Sequence, residues 1–90
     1  MIHTIKLRED YIQPVLSGEK NFEIRLNDRD YQKGDFIKFQ AISMEGCLYV
    51  NMELEEKIFE ITYVHSGLGL KENYVVFGIK EVDEPQESED

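Results

Sequence analysis

Between Phe22 and Leu26 apolar and charged side chains alternate without a break, Phe-Glu-Ile-Arg-Leu, and a period of two fits a half-buried β-strand and no helix. On this alternation Phe22, Ile24 and Leu26 are expected to face a core, leaving Glu23 and Arg25 on the opposite face. Lys20 lies just upstream and Asn27-Asp28-Arg29-Asp30 just downstream, so the stretch from Gly18 to Arg29 concentrates opposite charges around one strand. A Lys, a Glu three residues on and an Arg two further place a cation, a carboxylate and a planar bidentate donor within a few ångströms of one another.

The rest of the chain supplies a scaffold for that strand. Ile2 to Leu7 alternates as a first strand with mixed faces. From Asp10 the apolar positions Tyr11, Ile12, Val15 and Leu16 take helical spacing, and Gly18 stands where a left-handed residue ends a helix. With Asp10 as the N-cap, Pro14 falls past the positions where a missing N–H is harmless, which predicts a short helix of about two turns. Lys33-Gly34-Asp35 punctuates the chain before Phe36 to Ile42, a segment rich in aromatic and β-branched residues that reads as a strand. Leu48 to Leu54 reads as a further strand. Lys57 to Val64 follows, with Phe59, Ile61 and Tyr63 expected on one face and Ile58 and Val64 on the other. His65-Ser66-Gly67-Leu68-Gly69-Leu70 has the composition of a flexible loop. Tyr74 to Val82 is apolar enough to be buried on both faces.

Ninety residues with 41% hydrophobic side chains support one domain, over residues 1–82, with residues 83–90 an acidic disordered tail. One helix and five or six short strands form an α+β, mainly β domain. The expected architecture is a small β-barrel of five or six strands with a short helix near the N-terminus, the alternative being an open sheet with the helix packed on one face. The chain contains no apolar run long enough to span a bilayer and no signal-peptide pattern at its start, so a cytoplasmic protein without a membrane partner is expected. Cys47 is the one cysteine, and His3 and His65 lie far apart, so neither a disulfide nor metal-ligand spacing is present and no cofactor is implied.

The net charge of −9 is unevenly placed. The last ten residues carry six acids and no base, leaving thirteen acids against ten bases over residues 1–80, while residues 1–40 hold seven of each. That profile lacks the basic face of a general duplex-DNA binder but is compatible with a site for one nucleotide or a short single strand.

Strand, short helix ending at Gly18, Gly18-x-Lys20-x-x-Glu23-x-Arg25, then Lys33-Gly34-Asp35 opening an apolar strand, is an order of elements and residues that resembles the ASCH domains (activating signal cointegrator homology) of the PUA-like superfamily. More narrowly it resembles small bacterial and phage ASCH-like proteins of uncharacterised function, in which Glu-x-Arg-x-Asn-Asp-Arg is followed by a Gly-Asp pair. The likeness covers residues 3 to 82. It implies a PUA-like β-barrel with a cleft beside the helix, lined by the Lys20 to Arg25 segment, and an association with RNA and modified nucleobases. One class of small ASCH enzymes hydrolyses the amide of N4-acetylcytidine with a Lys-x-x-Thr segment. Here Lys20 matches the Lys, but Glu23 replaces the Thr and removes the hydroxyl nucleophile.

Three functions follow as expectations. The first is binding of RNA, a nucleotide or a nucleoside through Lys20, Glu23 and Arg25, with Arg29 a lesser candidate and Tyr63 and His65 as stacking groups beside the glycine loop. The second is an amidohydrolase acting on an N4-acylated cytidine, with Lys20 and Glu23 as its catalytic pair and water in place of the hydroxyl. Cations on either side of Glu23 favour its ionised form, so holding Lys20 and Arg25 in position is the better role for it than acid catalysis. The third is a protein-interaction module whose acidic tail docks on a basic partner or shields the cleft. Ordinary structural roles compete at every position: a solvated turn for Lys20, a same-face ion pair for Glu23 and Arg25, and core packing for Tyr63.

Overall fold

In the computed structural model, which describes residues 1–83, the first strand, β1 (Ile2–Arg8), buries every second side chain, His3, Ile5 and Leu7. It runs directly into α1 (Glu9–Ser17), whose Ile12 and Val15 turn into the same core. Asp10 is not the N-cap. Arg8 holds that position without a side-chain bond to the helix, and Asp10 instead accepts from Arg8 Nε and Nη2 at 2.7 and 2.9 Å. Pro14 lies inside the helix. Gly18 ends it at φ 84°, where a side chain would be strained.

β2 (Phe22–Leu26) follows, then β3 (Phe36–Ile42), the two-residue β4 (Leu48–Tyr49), the single turn α2 (Met52–Glu55), β5 (Ile58–Ser66) and β6 (Tyr74–Val82). The strand expected over Leu48 to Leu54 is therefore only its first two residues. Asn51 diverts the rest by accepting from the Leu54 N–H at 3.1 Å while Glu55 Oε2 accepts from the Asn51 N–H, a reciprocal cap that starts the turn of helix and drives Leu54 into the core.

The sheet has six strands in the order β1-β3-β5-β6-β2, with β4 appended to β3. β1 and β3 are parallel, and the other ladders are antiparallel. The hydrogen-bonded sheet is open, where a closed barrel was the first expectation. Its path ends at β1 and β2, each of which has a ladder on one edge only among the described residues.

A bulge in β5 changes which side chains the last strands present. Ile61 pairs with Ile79 and Tyr63 with Gly78, so Thr62 is an extra residue that reverses the alternation. Phe59 and Ile61 are buried as expected, but Tyr63 is turned outward, 65% exposed, and Val64 packs against the core in its place. Gly78 accommodates the bulge, since a Cβ there would lie 2.6 Å from Thr62 Oγ1. β6 buries Val75, Phe77 and Ile79 on one face and leaves Tyr74, Val76 and Gly78 half-buried on the other, so only one of its faces belongs to the core. No helix among the described residues is long and apolar enough to cross a membrane. Of the expected disordered tail, residues 83–90, only Asp83 is among the described residues, and 84–90 lie outside them.

Candidate functional site

β2 is seated with its charged face inward. Its antiparallel register places Glu23 opposite Phe77 and Arg25 opposite Val75, both core residues, so Glu23 and Arg25 share the inner face. Phe22, Ile24 and Leu26, the side chains expected in the core, are 41–54% exposed. The expectation failed because alternation defines two faces without saying which is covered. Pairing with β6 on one edge only decides it, and inward charges on such an edge strand also blunt its tendency to recruit another strand.

The buried carboxylate is satisfied by both neighbouring cations. The Glu23 side chain is 3% exposed, and its Oε2 accepts from Lys20 Nζ at 2.6 Å. Its Oε1 accepts from Arg25 Nε at 3.0 Å and Nη2 at 2.7 Å. Lys20 and Arg25 are themselves only 17% and 24% exposed, so these charge-assisted bonds are partly shielded from water. Lys20 is delivered by the helix end. After Gly18 turns the chain, the Lys20 N–H donates to the Pro14 carbonyl at 2.9 Å, and its ammonium also donates to the Phe22 carbonyl at 2.9 Å. The same ammonium lies 4.8 Å from the Tyr11 ring centre and 5.0 Å from that of Phe22, within cation–π range of both.

Arg25 reaches further. Its Nη2 donates to the Lys6 carbonyl of β1 at 2.7 Å, spanning the gap between the two ends of the sheet path. The two Nη1 protons have no partner among the described residues, and one Lys20 proton is likewise uncommitted. One carboxylate against two cations leaves a local excess of positive charge with donors to spare, an arrangement suited to an anion or to the carbonyl edge of a polar ligand.

An open cleft of about 600 Å³ lies over these groups. Lys6 and Arg8 of β1, Tyr11 of α1, the Lys20 to Arg25 segment and the turn after β3 line it, with Ile42, Met44 and Gly46 on the last wall. Glu9 Oε2 accepts from the Met44 N–H at 3.1 Å and so ties that turn to the start of α1. At the rim, Asp10 is held below the usual carboxylate range by its hydrogen bonds to Arg8, whose own value is raised in return. On the far side of Arg25 a smaller hollow of about 290 Å³ is lined by Ile5, Lys6, Leu26, Asp28, Arg29 and Tyr31, and Arg25 and Lys6 border both spaces. Among the described residues no three His, Cys, Asp or Glu side chains gather closely enough to hold a metal ion.

The structure thus brings Lys20, Glu23 and Arg25 together and sets Arg29 beside them in the neighbouring hollow. Tyr63 and His65 lie elsewhere. They pair with Gly78 and Val76 of β6, which separates them from β2 by a strand, and His65 Nε2 is 3.0 Å from the Leu68 carbonyl in the turn that follows β5. Sequence reasoning missed Lys6, Tyr11 and Tyr31. Lys6 contributes through a main-chain carbonyl that no sequence pattern marks, and Tyr11 was assigned to helix packing. Tyr31 sits in the polar turn after β2, where Asp30 adopts φ 51° and Asn27 Oδ1 accepts from the Tyr31 N–H at 3.0 Å. That fold-back buries the Tyr31 ring between His3 and Phe77, with ring centres 4.9 and 4.7 Å away. A lone aromatic amid turn residues was the available signal.

A family model described as a domain of unknown function, DUF3850, matches residues 2–79. An uncharacterised 12.9 kDa protein from the GpA 3′ region of Escherichia phage P2 is 32% identical over 75 residues, 83% of this chain. The chain spans 64% of that phage protein's length.

Proposed function

The chain belongs to the DUF3850 family, and from there we propose that its cleft binds a nucleobase-bearing ligand, a nucleotide or a short RNA segment. Lys20 and Arg25 contact the ligand, and Glu23 holds them in place. The observation that carries this reading is the buried Glu23 carboxylate bonded to both cations, whose remaining donors line the open cleft. Tyr11 and Phe22 add apolar rings at the same wall, which suits a planar base. The ASCH-like order of motifs supports the choice of a nucleobase over other polar ligands, and on that reading Arg25 stands in for the last joint of a PUA-like barrel.

Glu23 acts as a positioning group. Both of its oxygens are engaged by cations and the side chain is buried, so binding accounts for the geometry better than activation of water for amide hydrolysis. The test is calorimetric titration of the full chain with the four ribonucleosides, their monophosphates and short single-stranded RNA. Saturable binding weakened about tenfold or more in Lys20→Met, the loss of one hydrogen bond to a charged group, is the expected result. Absence of binding to every one of these ligands overturns the proposal. Release of cytidine from N4-acetylcytidine that is lost in Lys20→Ala would instead assign the cleft to hydrolysis.

A further inference from the structure

The hollow beyond Arg25 has a tyrosine on its wall. Tyr31 is 4% exposed, its ring is fixed between His3 and Phe77, and its hydroxyl has no hydrogen-bond partner among the described residues. No side-chain donor or acceptor among the described residues is both fully buried and unpartnered, so this hydroxyl keeps contact with the open hollow, where a ligand atom can take the place of solvent as its partner. The charges around it have one predominant sign. Arg25 and Arg29 line the hollow with Lys6, against the single carboxylate of Asp28. The side-chain ends of Lys6 and Arg29 make no ion pair or hydrogen bond among the described residues, and Arg25 retains its Nη1 donors. Burial pushes the Tyr31 phenol up while Arg25 and Arg29 oppose it, so the hydroxyl keeps its proton at neutral pH and is available as a donor.

We propose that this hollow is the phosphate subsite of the ligand whose base occupies the cleft, with Tyr31, Arg29, Lys6 and the spare edge of Arg25 as its donors. The preference for phosphate over other anions rests on the nucleotide reading of the cleft. The two spaces meet at Arg25 and Lys6, so one nucleotide can lie across the seam with its base on the Tyr11 and Phe22 side and its phosphate on the Tyr31 side. The same chemistry serves a free monophosphate or a phosphodiester of RNA.

The experiment uses full-length protein carrying tyrosine labelled at ¹³Cζ, with the Tyr31 resonance assigned by Tyr31→Phe, which keeps the buried ring. Inorganic phosphate is expected to shift that resonance saturably, and Arg29→Gln to weaken the effect. Ribonucleoside monophosphates are expected to bind roughly tenfold more tightly than their parent nucleosides, a difference erased by Tyr31→Phe and by Arg29→Gln. No saturable shift with phosphate, or an unchanged monophosphate-to-nucleoside ratio in both variants, overturns the subsite. If nucleosides bind while that ratio is one, the subsite fails and the cleft reading stands. If phosphate shifts Tyr31 while nucleosides do not bind, the anion site stands and the cleft reading fails. A tetranucleotide without terminal phosphate that matches the monophosphates assigns the site to the RNA backbone, and one that binds only as a nucleoside does assigns it to free nucleotides.

Discussion

Arg25 and Lys6 bridge the two ends of the open sheet: the guanidinium of β2 donates to the main-chain carbonyl of β1 at 2.7 Å, where no backbone ladder joins the two strands among the described residues. The same guanidinium is held by Glu23, so a single side chain links the buried carboxylate, the open seam, the cleft and the hollow. Arg25→Lys keeps the charge but lacks the fork that reaches both acceptors. It is expected to cost about 1–3 kcal/mol, the range for leaving a buried polar group unsatisfied. Urea unfolding checks this, and a midpoint equal to that of the native chain contradicts the seam contact.

Glu23 is the keystone of the charge cluster in a way that the exposed Arg8–Asp10 pair is not. Removing the carboxylate in Glu23→Ala leaves Lys20 and Arg25 facing each other with little solvent between them. A loss of about 3–5 kcal/mol is expected, as for other buried pairs deprived of one partner. Lys20→Met should recover part of that loss in the double variant, because one of the two orphaned cations is then gone. Asp10→Ala is the control and is expected to leave the unfolding midpoint unmoved. Equal effects of the two acidic substitutions would falsify the distinction.

Ile24 tests the orientation of β2 directly. It is 54% exposed, so Ile24→Thr is expected to change stability by no more than about 0.5 kcal/mol. Phe77→Ala, beside Glu23 on the shared inner face of the paired strand β6, should cost about 3–5 kcal/mol. Denaturant midpoints for the two variants decide it, and a comparable loss in Ile24→Thr places that side chain in the core after all.

This orientation also marks the limit of what was legible in the sequence. The strands over Ile2 to Leu7, Phe22 to Leu26, Phe36 to Ile42 and Tyr74 to Val82 were readable because apolar periodicity and β-branched content depend on local residues. So was the helix stop at Gly18, where one backbone angle demands glycine. The grouping of Lys20, Glu23 and Arg25 was readable from spacing alone. Which face of β2 points inward was not, because that is set by its pairing with β6, about fifty residues away. The outward turn of Tyr63 was hidden for a related reason: a bulge adds one residue without leaving a pattern in Thr62 itself. The Asn51 cap that replaces the rest of the strand after Tyr49 was local, but it competes with an equally local β-propensity.

Asp35 makes part of the stability pH-dependent. Burial pushes its carboxyl up, but the hydrogen bond from His3 at 2.8 Å and that from the Gln32 N–H at 3.1 Å outweigh it and hold the value below the ordinary range. A folded-state value below the unfolded one means that the contribution is present above the unfolded value, about 3.9 for Asp, and is lost as pH falls through the folded value. Asp35→Asn should therefore be less stable than the native chain at pH 6, with the difference shrinking progressively below about pH 4. Urea midpoints measured from pH 6 down to pH 2.5 report it, and a difference that stays constant over that range rules out the linkage.

Gly78 and Thr62 form the contact that makes the β5 bulge specific. A Cβ at residue 78 would stand 2.6 Å from Thr62 Oγ1, closer than real Cβ atoms approach, and the Asn21 carbonyl at 3.8 Å borders the same space. Thr62 is β-branched and its χ1 is restricted on a strand, so its hydroxyl cannot simply swing away. Gly78→Ala is expected to cost about 1–3 kcal/mol, the range for overpacking. The companion substitution Thr62→Ala removes the clashing oxygen and should return most of that loss, giving a coupling of about 1 kcal/mol or more in a double-variant cycle. Because the bulge turns Tyr63 outward and Val64 inward, relief by Thr62→Ala would show that the bulged register is kept in the variant. Additive losses would mean that the alanine at 78 moves the register of β5 against β6 instead.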